Sequence, residues 1–225
     1  MIKAKKDLGQ NFLIDEIIIN KIVEKINPES EDIFLEIGPG KGAITRPLLR
    51  FIKHLHAVEI DEDLIKGLEK IEKTNISLHN ESILNFQPDQ YIDKNLRVMG
   101  NLPYNISTQI MLWTFKNLTI LKDIHFMFQK EFGERLLSAN NKKSFGRLSV
   151  LTQYLTKPEF CFEIEPESFF PEPKVESIFI KFLPIEGRDF EDSLTQKLQE
   201  VSRIAFMHKR KMIGKSLKSL LSVEE

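Results

Sequence analysis

Near the middle of the chain, residues 100–108 read Gly-Asn-Leu-Pro-Tyr-Asn-Ile-Ser-Thr. A turn at this point needs only Asn101 and Pro103, and Tyr104 adds a flat aromatic face. The set suits attack by an amine carried on an aromatic base. Such an amine is a poor nucleophile because its lone pair is delocalised into the ring. To attack an electrophilic methyl it must become more sp³-like and carry developing positive charge. Two acceptors aimed at its two N–H bonds favour that state over the ground state. The side-chain oxygen of Asn101 is one. The backbone carbonyl beside Pro103 is the other, because proline restricts the residue before it and so fixes where that carbonyl points. Tyr104 offers a surface for stacking, worth about 1–3 kcal/mol per base. No general base is needed, since the resulting cation loses its proton easily to water. Read alone, the same residues also describe an Asn-Pro turn with a half-buried tyrosine.

A second group lies upstream. Gly38, Gly40 and Gly42 stand between an apolar strand pattern and a helical one. Glycines there permit tight turning and close backbone approach to a ligand. Glu59 follows at the end of the next strand pattern, where a carboxylate can accept both hydroxyls of a ribose. The layout is that of a dinucleotide site, although there the third glycine normally falls one residue later. Glu36, inside the first strand, disfavours a pyrophosphate and suits a cationic ligand group. Glu81, after the third strand, could accept from an adenine amino group. A turn with solvated acids accounts for the same residues, so this group by itself also leaves two readings.

Taken in order, "LEIGPGKGAIT", "VEID" and "NLPYNIST" resemble the class I methyltransferases that use S-adenosylmethionine. In particular the chain resembles the rRNA adenine N6-dimethyltransferases. The likeness extends to "KKDLGQNFL", "MFQKEFGERL", "FGRLSV" and "FFPEPKVES", and covers nearly the whole chain. Its nearest form is the KsgA (RsmA) type, which dimethylates two adjacent adenines in a hairpin near the 3′ end of small-subunit rRNA. The related Erm enzymes modify large-subunit rRNA. They share the asparagine motif, but "LGQNFL" and "FGRLSV" look more like the KsgA type. The resemblance implies that Gln10, Asn11 and Leu13 close over the cofactor. Gly38 would pack on its methionine part with Gly40 in the same loop, Glu59 would hold the ribose, and Glu81 would read the adenine. Asn101 would lie beside the methyl donor, and Phe169 would stack on the target base opposite Tyr104. The cofactor implied is S-adenosyl-L-methionine, with no metal.

The elements that must position these residues follow from pattern. "DIFLEI", "HLHAVEI", "ISLHN", "NLRVMG" and "DIHFMFQ" read as strands separated by helical segments, so parallel βαβ units are expected. "EFCFEI" and "VESIFIKFL" lack a helical crossover, which suits an antiparallel pair at one edge. Helices are expected over "DEIIINKIVEKI", with Asp15 as N-cap and Ile17, Ile18, Lys21, Ile22 and Ile26 at helical spacing. "AITRPLLRFI" should also be helical, with Pro47 in its first turns or kinking it. The fold class expected is α/β: a Rossmann-like class I methyltransferase with a mostly parallel seven-stranded sheet and an antiparallel edge, plus a small C-terminal α-helical domain. The boundary is set near residue 184, giving a catalytic domain over 1–184 and a helical RNA-binding domain over 185–225.

Composition bounds the rest. The 225 residues are 41% hydrophobic and 29% charged, ordinary for a globular protein. The formal net charge is −1, so any polyanion surface must come from local clustering. Lys3, Lys5 and Lys6 form one basic cluster. Arg203, Lys209, Arg210, Lys211, Lys215 and Lys218 form another, with Leu194, Leu198, Val201 and Leu217 available for packing. The second is read as an RNA surface; for the first, a solvated face is an equal reading. The lone cysteine, Cys161, excludes an internal disulfide framework and suits a reducing compartment. Neither a membrane span nor a signal peptide is visible, so a cytoplasmic protein is expected; the resemblance implies small-subunit rRNA in a pre-ribosomal particle as its partner, and a monomer is expected. An RNA-binding assembly factor with incidental methylation, and a nicotinamide-dependent dehydrogenase, are the readings from other classes. The second lacks a catalytic His or Lys at a strand end.

Overall fold

The computed structural model describes residues 4–5, 8–91 and 94–207. Seven strands form one sheet: β2 (Ile33–Ile37), β3 (His54–Val58), β4 (Ile76–His79), β5 (Leu96–Asn101), β6 (Leu121–Gln129), β7 (Thr156–Ile164) and β9 (Ser177–Pro184). Their spatial order is β4-β3-β2-β5-β6-β9-β7. The first five run parallel, and β9 lies antiparallel to both β6 and β7. The expected antiparallel edge is therefore present, with β7 outermost. Two short strands, β1 (Phe12–Leu13) and β8 (Phe169–Phe170), pair separately as an antiparallel ribbon.

The central strands are buried on both faces, as parallel sheets require. On one face Leu35, Val98, Phe126 and Ile180 pack with α4 (Ser107–Lys116), α5 (Lys130–Leu137) and α6 (Arg147–Leu155). On the other, Phe34, Leu55, Met99 and Phe179 pack with Ile22, Val23 and Ile26 of α1 (Glu16–Ile26) and with Leu48 of α2 (Thr45–Leu48). Asp15 caps α1 as expected, accepting from the amides of Ile17 and Ile18. A cap of this kind contributes about 1 kcal/mol. The inward stripe of α1 is Ile22, Val23 and Ile26; of the residues expected on it, Ile17 is 78% exposed and Lys21 is exposed as well.

The segment expected as a long helix around Pro47 is α-helical only over Thr45–Leu48. It continues as three-residue turns, with Arg50 donating to the Pro47 carbonyl and Phe51 to that of Leu48. After β9 the chain turns helical again in α7 (Ser193–Met207). Phe190 is buried against Phe115 of α4, and Leu198 of α7 packs on the same cluster. Leu194 and Val201, also expected to pack, are exposed. Arg203 lies exposed on α7, while Lys209, Arg210, Lys211, Lys215, Leu217 and Lys218 lie outside the described residues.

Candidate active site

Strand order reverses between β2 and β5, and a crevice opens past the carboxyl ends of strands at such a switch point. Gly38 follows β2, and Asn101 ends β5. Gly38, Gly40 and Gly42 adopt φ of +65°, +58° and +81°, a region that L side chains enter only with strain. Gly40 also faces the ring of Phe12, which a Cβ would approach to 3.1 Å. At the other wall, a Cβ on Gly100 would stand 2.6 Å from the Ile37 carbonyl oxygen. Glycine at that position lets β5 deliver Asn101 directly beside the glycine loop.

The crevice holds about 780 Å³ of empty space, its open mouth included. Gln10, Asn11, Leu13, Gly38, Gly40, Glu59, Asn101 and Tyr104 all line it, together with Glu36. The chain thus brings together residues from four separate stretches. Glu81 is half-buried on the turn after β4 and is not among the lining residues. Phe169 is not among them either: it is 2% exposed and packs in the core with Leu13 and Phe179, while Phe170 is 60% exposed. Of this aromatic pair, the structure makes Phe169 the core residue.

Asn101 Nδ2 donates to the Asn11 carbonyl at 2.9 Å. A carbonyl oxygen only accepts, so the atom beside it must be the amide nitrogen, and Oδ1 faces the other way. The next peptide is held as well, by the Leu102 amide donating to the Met127 carbonyl at 3.2 Å. Pro103 then adopts φ −62° and ψ 129°, and a 3-10 turn over Tyr104–Ile106 leads into α4. Tyr104 is fixed at its far end by a 2.8 Å hydrogen bond between its hydroxyl and that of Ser177, which is fully buried. Burial pushes the Tyr104 hydroxyl pKa upward, with the Ser177 contact opposing, so the phenol is neutral.

The acid end is equally ordered. Glu59 Oε2 accepts from the Gly40 amide at 3.2 Å, and Oε1 from the Asp61 amide at 3.0 Å. A carboxylate has about four acceptor positions, so roughly two remain for a diol. Burial raises the Glu59 pKa, the Asp61 charge adds to that, and the backbone amides of Asp61, Gly40 and Ile60 oppose it. Glu36 is buried beneath the loop and accepts from the Thr45 hydroxyl at 2.6 Å. Ile60 is half exposed at the mouth, and with Leu64 it gives the crevice an apolar wall. A diol acceptor, a buried acid for an ammonium group and an apolar wall for a flat base fit S-adenosylmethionine.

Sequence reading passed over Ile60, Ser177 and Asp61. Ile60 has a local signal, being the residue after the strand-end acid. Ser177 has none, because its partner lies far away in sequence, and Asp61, although it ends the quoted "VEID", gives no sign of its distant partners Lys5 and Gln10. Lys5, read as part of a basic arm, instead bonds Asp61 and Asp63, while Lys3 and Lys6 lie outside the described residues.

A family model described as "Ribosomal RNA adenine dimethylase" matches residues 1–225. A relative from Legionella pneumophila (strain Corby), named "Ribosomal RNA small subunit methyltransferase A", is 41% identical over 98% of this chain and 87% of its own length. One of the same name from Buchnera aphidicola is 40% identical over 97% of this chain and 85% of its own. Among solved structures, a dimethyladenosine transferase from Plasmodium falciparum superposes with a TM-score of 0.83 at 27% identity, covering 94% of this chain and 77% of that one. The 23S rRNA methyltransferase ErmE gives 0.74 at 27% identity, covering 92% and 83%. With a match that runs from the first residue to the last, the chain belongs to the ribosomal RNA adenine dimethylase family.

Proposed function

We propose that the protein dimethylates N6 of two adjacent adenines in a hairpin near the 3′ end of small-subunit rRNA and acts in small-subunit biogenesis. S-adenosyl-L-methionine, when bound, supplies an electrophilic methyl on a sulfonium sulfur that keeps the bonding electron pair. The observation carrying this reading is the tethered amide: one N–H of Asn101 Nδ2 is held by the Asn11 carbonyl, which orients the carboxamide with Oδ1 free to accept in the crevice. Oδ1 accepts one N6–H of the target and the Leu102 carbonyl accepts the other. Both contacts strengthen as the nitrogen gains positive charge, so they favour the transition state over the ground state. Tyr104 stacks on one face of the adenine. Phe169 is assigned the opposite face, which requires its ring to leave the core position it occupies. Glu59 receives the ribose hydroxyls, Glu36 the ammonium group, and Gln10, Asn11 and Leu13 cover the site. Glu81 is assigned to the adenine amino group of the cofactor, across the mouth of the crevice.

The target adenine must leave its stack to enter a crevice of this kind. The basic residues near the C-terminus are assigned to the RNA backbone, with 185–225 as an RNA-binding unit beside a catalytic unit over 1–184. Several phosphate contacts make affinity fall steeply with salt. The proposed partner is small-subunit rRNA in a pre-ribosomal particle, met in the cytoplasm by a monomer that uses neither a metal nor a membrane. Among the described residues no helix is long and apolar enough to cross a membrane.

Incubation with labelled S-adenosylmethionine and separated, unmodified ribosomal subunits tests the proposal by nucleoside analysis. N6,N6-dimethyladenosine in the small-subunit rRNA is expected. Label confined to large-subunit rRNA, or none in either, would overturn it.

A further inference from the structure

The segment ahead of β1 is clasped to the acid side of the crevice through one carboxylate. Asp61 has a fully buried side chain and receives both ends of the clasp. Lys5 Nζ lies 2.6 Å from Oδ1, and Gln10 Nε2 donates to Oδ2 at 2.9 Å. The Lys5 amide closes the loop by donating to Gln10 Oε1 at 2.8 Å. One residue beyond Gln10, the Asn11 carbonyl holds the amide of Asn101. A continuous run of contacts therefore joins the turn after β3 to the catalytic amide at the end of β5.

We propose that Asp61 is a positioning residue that, through Lys5 and Gln10, sets the Asn11 carbonyl and so turns Asn101 Oδ1 toward the target base. The inference rests on the methyltransferase reading of this crevice. Asp61 stands two residues after Glu59, whose Oε1 it anchors through its own amide. The residue that fixes the cofactor carboxylate thus also latches the cover, and closing over the cofactor and orienting the amide become one event. A carboxylate that only capped α3 (Glu62–Leu68) would need its single bond from the Asp63 amide and no clasp.

The test uses Lys5, which is half exposed, because replacing it leaves the buried carboxylate and the helix cap in place. Lys5→Ala and Lys5→Arg are compared with wild type for S-adenosylmethionine affinity by calorimetry, for kcat on unmodified small subunits and for Tm. Loss of one charge-assisted hydrogen-bonded contact predicts a loss of about three- to tenfold in both cofactor affinity and kcat for Lys5→Ala. Asp61 keeps the Gln10 and Asp63 donors, so any fall in Tm should be small, and Lys5→Arg should recover both losses. If wild type binds cofactor and methylates while Lys5→Ala matches it in both, the latch is overturned and the function stands. Loss of affinity with unchanged kcat would also overturn the relay to Asn101. If wild type neither binds cofactor nor methylates, the underlying reading fails, and the latch with it.

Discussion

The side-chain amide of Asn101 is tied to the backbone carbonyl of Asn11, 90 residues earlier in sequence and 2.9 Å away. One N–H of the carboxamide is thereby engaged by the protein, and the oxygen end faces away from Asn11. Because the bond is made by the Asn11 main chain, the Asn11 side chain is not what orients the amide. The segment carrying it must nevertheless be in place for the active site to be complete.

The Tyr104–Ser177 hydrogen bond separates two roles of the tyrosine. Tyr104→Ala should lose the stacking contribution of about 1–3 kcal/mol, a fall in kcat/KM of roughly five- to 150-fold. Tyr104→Phe keeps the ring and should remain within a few-fold of wild type. Ser177→Ala should resemble Tyr104→Phe, and the double variant Tyr104→Phe with Ser177→Ala should be no worse than either single one. Steady-state kinetics on small subunits would show this non-additivity. Additive losses would mean that Ser177 acts on something other than the ring.

Glu36 gives the protein a defined pH signature. Burial pushes its carboxyl up to about 8, the Glu59 charge adds to that, and the Thr45 hydroxyl opposes it. The folded protein therefore holds a proton that the unfolded chain releases near 4.5. The stability this proton confers is complete below that value and is lost as pH rises through about 8. Denaturation of the cofactor-free protein between pH 5 and pH 8.5, roughly the window so defined, should show wild type weakening relative to Glu36→Gln. An ammonium group beside Glu36 favours its charged form, so cofactor binding near neutral pH should release a proton. Calorimetry in buffers of different ionisation enthalpy would detect it, and a buffer-independent enthalpy would count against the assignment.

Gly100 is a steric prediction. A methyl there meets the Ile37 carbonyl oxygen at 2.6 Å, and backbone cannot swing aside as a side chain can. Gly100→Ala should cost about 1–3 kcal/mol in chemical denaturation, the range for overpacking. It should also reduce turnover, by shifting Asn101 away from the glycine loop.

Much of this architecture is written in local pattern. The apolar runs around Phe34, Leu55, Val98 and Phe126 alternate with helical stretches, and their order yields a parallel sheet with its crevice at the switch point. β1 and β8 were not legible, because two residues show no periodicity and their pairing joins Phe12 to Phe170 across most of the chain. That register also decides which phenylalanine faces inward, and a Phe-Phe pair read alone cannot reveal it. α2 carries helical four-residue bonds from Leu48 to Ile44 and from Leu49 to Thr45 past Pro47, and only then tightens into three-residue turns, a boundary that the position of the proline does not mark. Lys5 looked like a solvated or RNA-facing charge because its partner Asp61 is 56 residues away. Glycines, the strand-end acid and the Asn-Leu-Pro-Tyr stretch were legible because their chemistry lies in residue type and spacing. Their mutual orientation was not, since it depends on contacts between distant segments.

The most direct measurement is the single-turnover rate of methyl transfer to unmodified small subunits by Asn101→Ala, with cofactor binding measured alongside. Loss of one preorganised partner of a developing charge predicts a rate lower by about 10²–10³, with cofactor affinity within a few-fold of wild type. A variant that binds cofactor and transfers methyl groups at a near-normal rate would contradict the account.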